Sequence, residues 1–136
     1  MRRVLLILIA LTAFFSTSAY AQQVTDSGYR TVAHIKSDGT IQDASYRTIG
    51  HIKSDGTLQD GNYRTIGHLK SDGTVQDGNY RTVGHIKSDG TIQDSSYRTI
   101  GHVRDDGTVL DDSYRTIGHA KDIPLQWAAW YFFFCK

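Results

Sequence analysis

The chain is 136 residues long, with 15 Lys plus Arg, 14 acidic residues that are all Asp, and a formal net charge of +1. That near-neutral balance, spread evenly along the chain, excludes the basic footprint that nucleic-acid binding needs and leaves no acidic tail. A single Cys excludes an intrachain disulfide framework, and the lack of Glu beside 13 Gly and one Pro points to turn-rich β structure rather than helix.

Residues 1–21 read as a secretory signal peptide. Arg2 and Arg3 give a basic start, Val4 to Phe15 an apolar stretch, and Ala19-Tyr20-Ala21 a small-x-small cleavage site. The apolar run is shorter than the roughly 18 to 20 residues of a membrane span. The expectation is an exported protein of the periplasm, cell surface or extracellular space, with a mature chain starting near Gln22.

Residues 22–122 form a repeat domain. Tyr-Arg-Thr begins at Tyr29, Tyr46, Tyr63, Tyr80, Tyr97 and Tyr114, always 17 residues apart. Full repeats run over 29–45, 46–62, 63–79, 80–96 and 97–113, flanked by a half repeat at 24–28 and another at 114–122. A fixed period of this kind marks an architecture in which each unit buries its apolar face only against its neighbours.

In the 46–62 copy, Ser54-Asp55-Gly56 matches a three-residue hairpin loop, a type I turn followed by a left-handed residue where Gly has no Cβ to clash. This turn predicts Lys53 opposite Thr57, Ile52 opposite Leu58 and His51 opposite Gln59. A second turn falls at Asp60-Gly61-Asn62-Tyr63 and, as a two-residue loop, sets Gln59 against Arg64 and Leu58 against Thr65. Strict alternation then turns Tyr46, Thr48, Gly50, Ile52 and Leu58 inward. Arg47, Ile49, His51, Lys53, Thr57 and Gln59 face outward, with Gly50 admitting a kink or the close approach of another element.

The fold class expected is all-β, with the hairpins joined as an antiparallel meander closed into a barrel of about twelve short strands. The closure follows from the half repeats: Val24 stands where Leu58 does, and Asp26 where Asp60 does. The first half repeat is thus a trailing strand and the last a leading strand, and joining them removes both exposed edges. The alternative is a β-solenoid, which stacks Arg47 on Arg64 and Lys53 on Lys70 at the ~4.8 Å strand spacing. The meander avoids those ladders of like charge.

Residues 123–136 are a hydrophobic aromatic segment expected to pack on the repeat domain. Asp122 reads as the cap of a short helix with Pro124 in its first turn, and the all-round apolarity makes this helix, or an extra strand, a plug for the barrel. Alternatively, Trp127, Trp130, Tyr131, Phe132, Phe133 and Phe134 offer a contact surface to a membrane or a protein partner. Cys135 is either free or paired between chains.

Chemistry is harder to find in so repetitive a chain. His34, His51, His68, His85, His102 and His119 are the metal-ligand candidates. In a meander, though, they stand two strands apart, ~9–10 Å, which is too far to share an ion. The expectation is therefore no metal, with each His solvated opposite a Gln. Asp-Gly pairs such as Asp38-Gly39 are turn formers rather than calcium loops. Tyr, Arg and Asp could make a sugar- or polymer-binding surface, but inward alternation makes the tyrosines core residues. Every polar group recurs in five or six copies, so no asymmetric catalytic constellation stands out.

The pattern Tyr-Arg-Thr-Ile-Gly-His-Ile-Lys-Ser-Asp-Gly-Thr-Leu-Gln-Asp resembles the short tandem repeats of secreted bacterial proteins. The resemblance spans residues 24–122, implies a bacterial envelope setting, and carries over no activity or binding residue. The function expected is an exported, non-catalytic structural or binding repeat protein, without a cofactor. The alternative is a membrane-associated protein docking through its aromatic C-terminal segment.

Overall fold

The computed structural model describes residues 21–135, so the proposed signal peptide lies outside the described residues except for Ala21 at the start of the first strand. Twelve strands follow in order: β1 (Ala21–Asp26), β2 (Thr31–Lys36), β3 (Thr40–Asp43), β4 (Thr48–Ile52), β5 (Thr57–Asp60), β6 (Thr65–Leu69), β7 (Thr74–Asp77), β8 (Thr82–Ile86), β9 (Thr91–Asp94), β10 (Thr99–Val103), β11 (Thr108–Asp111) and β12 (Thr116–His119). A single described helix, α1 (Leu125–Phe133), comes last. Each strand pairs with its neighbour in the chain and β1 pairs antiparallel with β12, which closes the barrel and rules out the parallel solenoid.

The closing seam repeats the register found inside each hairpin. Thr25 lies opposite His119 and Asp26 opposite Gly118, as Gln59 lies opposite His51 and Asp60 opposite Gly50. Two chain ends thus build a sixth hairpin whose turn is simply absent.

At the Ser-Asp-Gly turns the backbone follows the sequence expectation. Gly56 N–H donates to the Lys53 carbonyl at 2.9 Å, Lys53 N–H donates to the Thr57 carbonyl at 2.9 Å, and Gly56 takes φ 92°. Ile52 then faces Leu58, and His51 faces Gln59.

The second turn departs from expectation. Tyr63 N–H donates to the Asp60 carbonyl and Asp60 N–H to the Arg64 carbonyl, so this turn is a second three-residue loop with Tyr63 in the left-handed position at φ 66°. Asp60, not Gln59, stands against Arg64. Beyond the turn, Gln59 pairs with Thr65 but Leu58 pairs with Gly67, which leaves Ile66 as the extra residue of a β-bulge. The bulge shifts the inward-outward phase by one residue. Consequently Gly50, Ile52 and Leu58 are buried as expected, whereas Tyr46 and Thr48 are exposed and the Ile49 series moves to the barrel rim.

An aspartate clamps this turn in every copy. Asp60 Oδ1 accepts from Asn62 N–H at 2.8 Å and Arg64 N–H at 3.0 Å, while Oδ2 accepts from Arg64 Nε at 3.1 Å. The same carboxylate-to-Arg pair recurs from Asp26 with Arg30 to Asp111 with Arg115. The Arg of Tyr-Arg-Thr is therefore a turn residue first.

These turns tie stability to pH. The backbone N–H of Arg64 holds the Asp60 carboxyl below its ordinary 3.8, and the backbone N–H of Thr57 does the same for Asp55. A carboxyl with a lowered folded pKa contributes stability fully above its unfolded value, and that contribution disappears as pH falls through the folded value. The urea midpoint is therefore expected to be flat near neutrality and to drop from about pH 4 downward. An unchanged midpoint in acid would contradict the clamp.

Helix α1 occupies the barrel interior. Its buried residues Ala128, Ala129 and Trp130 belong to one apolar cluster with inward residues of strands all round the sheet, among them Val24, Ile41, Leu58, Val75, Ile92 and Val109. Pro124, not Asp122, stands at the N-cap, where its carbonyl accepts from Trp127 and Ala128 N–H. Asp122 instead takes a left-handed turn conformation at φ 63°. Small Ala128 and Ala129 let the helix lie inside a lumen already lined by branched side chains.

At its C-terminal end the plug meets the strand glycines. The ring tips of Phe132, Phe133 and Phe134 sit where a Cβ would project from Gly118, Gly101 and Gly84, on β12, β10 and β8. At Gly50 and Gly67 the nearest side chains are Ile41 and Leu58 of the sheet, so those seats hold no Phe ring. Gly101→Ala is expected to lower stability by about 2 kcal/mol through displacement of Phe133. Thermal melts that leave Gly101→Ala at the wild-type midpoint would show that the ring is not seated there.

Candidate functional site

The outer surface carries the most regular chemistry. Each Tyr at the left-handed position of a bulge turn lays its ring on the His of the preceding hairpin. Tyr63 stacks on His51, Tyr80 on His68, Tyr114 on His102, and Tyr29 on His119 across the closing seam. The six pairs have centroid separations of 4.1 to 4.5 Å and interplanar angles of 10 to 15°. The sequence signal was present all along, since in five of the six pairs the Tyr follows its His by 12 residues, as Tyr63 follows His51.

The histidines are thus each covered on one face by a Tyr ring rather than freely solvated. His34 is buried, the others that stack are half-buried, and each faces a Tyr ring rather than another His. Among the described residues no three His, Cys, Asp or Glu side chains group as metal ligands. In four copies the His Nε2 is shut from solvent without a hydrogen-bond partner among the described residues, at His51, His68, His85 and His119. The imidazole serves as a flat plate under the Tyr.

Holding a Tyr at positive φ costs about 1–2 kcal/mol, whereas the stack returns about 0.5–1.5 kcal/mol. Gly satisfies the corresponding position of the other turn at no such cost. Tyr63→Gly is therefore expected to change stability by less than about 1 kcal/mol, while His68→Phe keeps the plate, removes an unpaired nitrogen and leaves stability equal or higher. A large loss of denaturant midpoint in either variant would show that the pair holds the barrel together.

The free face of each Tyr stays open, with 64 to 72% of the residue exposed. Around it lies a groove of about 550 Å³ lined by Asp55, His68, Lys70, Ser71, Gln76 and Tyr80, with Asp72 beside them. The same positions, 34 residues on, line a groove of about 520 Å³ through Asp89, His102, Arg104, Asp105 and Tyr114. At the closing seam Asp106, His119, Lys121, Asp122 and Tyr29 make the equivalent groove, with Gln22 and Gln23 in place of the absent turn. Asp55 and Asp72 stay ionised, because the backbone N–H groups of Thr57 and Thr74 hold both carboxyls below their ordinary value. Sequence reasoning missed this constellation because it placed Tyr inside.

A second cleft, about 540 Å³, opens at the bulge end of the lumen and is lined mainly by Ile66, Val75, Val83, Ile100, Trp130 and Phe134. Of the aromatic segment, Trp130 is buried, while Trp127, Tyr131, Phe132, Phe133 and Phe134 are half-buried. Tyr131 packs edge-on against Phe132 at 5.3 Å. Burial pushes the pKa of Tyr131 and of the free Cys135 thiol upward, so both stay protonated near neutrality. No described helix is long and apolar enough to cross a membrane, which says nothing of a β-barrel.

Comparison with curated proteins gives no match, and neither does comparison with solved structures. A family model described as 5-fold beta-flower protein matches residues 19–136. Five contiguous repeats and a sixth hairpin built from the two ends make up the closed sheet of this chain. On the strength of that match over nearly its whole length, the chain belongs to the 5-fold beta-flower protein family, a tandem-repeat β family.

Proposed function

We propose that this protein is an exported, non-catalytic scaffold that presents equivalent binding grooves around a closed sheet. The single observation that carries the reading is the recurrence of one groove at equivalent positions two repeats apart, and again at the closing seam. Catalysis needs one site unlike the rest, and here each acid, amine and aromatic ring of the groove has its counterpart in the next unit. The signal-like leader of residues 1–21 supports export, as does the resemblance of the repeats to those of secreted bacterial proteins.

Fractionation of the producing cell with mass measurement of the chain tests this. A mature protein starting near Gln22 outside the cytoplasm is expected; an uncleaved chain retained in the cytoplasm would defeat the export reading.

One observation favours a second reading, membrane association. Ile49 and Ile66 are exposed at equivalent positions of the sheet, and Ile66 lines the apolar cleft together with Phe134. Strands of four to six residues are far short of the roughly 9 to 11 that a transmembrane strand needs, so such a protein would sit on a membrane rather than span it. Flotation with liposomes distinguishes the two, since the scaffold reading expects the protein to stay in the soluble fraction.

A further inference from the structure

The open faces of the stacked tyrosines serve no purpose in the fold. Each ring is fixed at its base by a left-handed backbone and backed by an imidazole, so it needs no ordering when a ligand arrives. We infer that the belt of His–Tyr grooves is a multivalent site for glycans of neutral or amino hexopyranose units, each groove taking sugar against the free Tyr face. The inference rests on the scaffold reading and adds its ligand class.

Three properties of the groove select this chemistry. The first is the aromatic platform, an amphipathic ring that offers a large rigid contact area to the C–H face of a sugar. The second is the polar rim. Carboxylates from Asp55 and Asp72, the Gln76 amide, the Lys70 ammonium and the Ser71 hydroxyl supply the mixed acceptors and donors that ring hydroxyls require. The third is charge. Asp55 and Asp72 outnumber Lys70 in one groove, and Asp89, Asp105 and Asp106 outnumber Arg104 in another, which repels polyanions and leaves neutral or cationic sugars favoured.

Geometry adds the multivalency. Equivalent grooves stand two strands apart, ~9–10 Å at the sheet, so a polysaccharide or a mesh of chains can engage several at once. An open groove binds one sugar weakly. Linked engagement raises the apparent affinity for polymer by orders of magnitude without any further contact.

The test uses the mature full chain on an array of gluco-, manno-, galacto-, N-acetylglucosamine and glucosamine hexasaccharides, together with anionic polygalacturonate hexamer. Binding of at least one neutral or amino hexasaccharide is expected, with titration calorimetry of that probe giving more than one site per chain. A Tyr46→Asn, Tyr63→Asn, Tyr80→Asn triple variant keeps residues that tolerate the left-handed turn, and is expected to lose about 10-fold or more in apparent affinity.

Silence across the neutral and amino probes, binding confined to polygalacturonate, or full affinity in a folded triple variant would each overturn the inference. A protein that is exported, folded and silent on the array refutes the glycan assignment while leaving the scaffold reading intact. A cytoplasmic protein that binds the array refutes export alone.

Discussion

Ending the chain after Asp122 is expected to abolish cooperative folding of the barrel. The truncation removes Ala128, Ala129 and Trp130 from the core cluster and the three Phe rings seated on Gly118, Gly101 and Gly84. Emptying the site of one large aromatic costs about 3–5 kcal/mol, so losing Trp130 with its neighbours approaches or exceeds the roughly 5–15 kcal/mol total stability of a domain. The remaining lumen is lined by Val, Ile and Leu facing a void too wide for short hairpins to collapse across. The truncated protein should show exposed apolar surface by dye binding and should aggregate on gel filtration. A monomeric species with a wild-type melting temperature would mean that the sheet stands without its plug. Trp130→Ala, a milder change, should lower stability by about 3–5 kcal/mol while leaving a folded monomer.

The second large effect concerns the seam. Removing residues 22–28 takes away β1, which is bonded to both β2 and β12, and leaves two unpaired strands where the closed sheet had none. Unpaired edges recruit other chains. The expected result is concentration-dependent association, read by light scattering or sedimentation, in place of a monomer. Val24 is fully buried, so Val24→Asp places an unpaired carboxylate in the core and is expected to cost about 4 kcal/mol or more without shortening the chain. A monomeric deletion variant would show that the barrel closes by some other pairing.

Much of this architecture was legible because its determinants are local. The Ser54-Asp55-Gly56 turn carries its own instructions: Gly at the left-handed position and Asp accepting the Thr57 N–H at 2.9 Å. Its register therefore came out as Ile52 opposite Leu58. Closure was legible too, since Val24 and Asp26 repeat the pattern of a trailing strand that has no partner within its own segment.

The bulge turn was not legible in the same way. Tyr is not a residue that turn chemistry recommends at positive φ, and nothing local explains Tyr63 there. Its ring is stabilised by His51, which belongs to the neighbouring hairpin. Misplacing that one residue hid the bulge at Ile66, and the slip of phase put Tyr46 and Thr48 on the wrong face. The Asp60–Arg64 clamp left a visible trace, an Asp four residues before every Arg of Tyr-Arg-Thr, but alternation alone does not interpret it. The binding grooves went unrecognised for the same reason, because they exist only if Tyr is outside.

The amino-acid sequence by itself determined the period, the hairpin at each Asp-Gly and the complementarity of the two ends, because each rests on backbone preferences that act within a few residues. Only the tertiary structure decided which faces the tyrosines and histidines share and which glycines receive the plug. Gly50, Gly67, Gly84, Gly101 and Gly118 occupy the same position in near-identical repeats, and no local rule distinguishes them. A single helix inside a ring of equivalent strands cannot treat all of them alike, so packing in the lumen selects Gly84, Gly101 and Gly118 for the Phe rings.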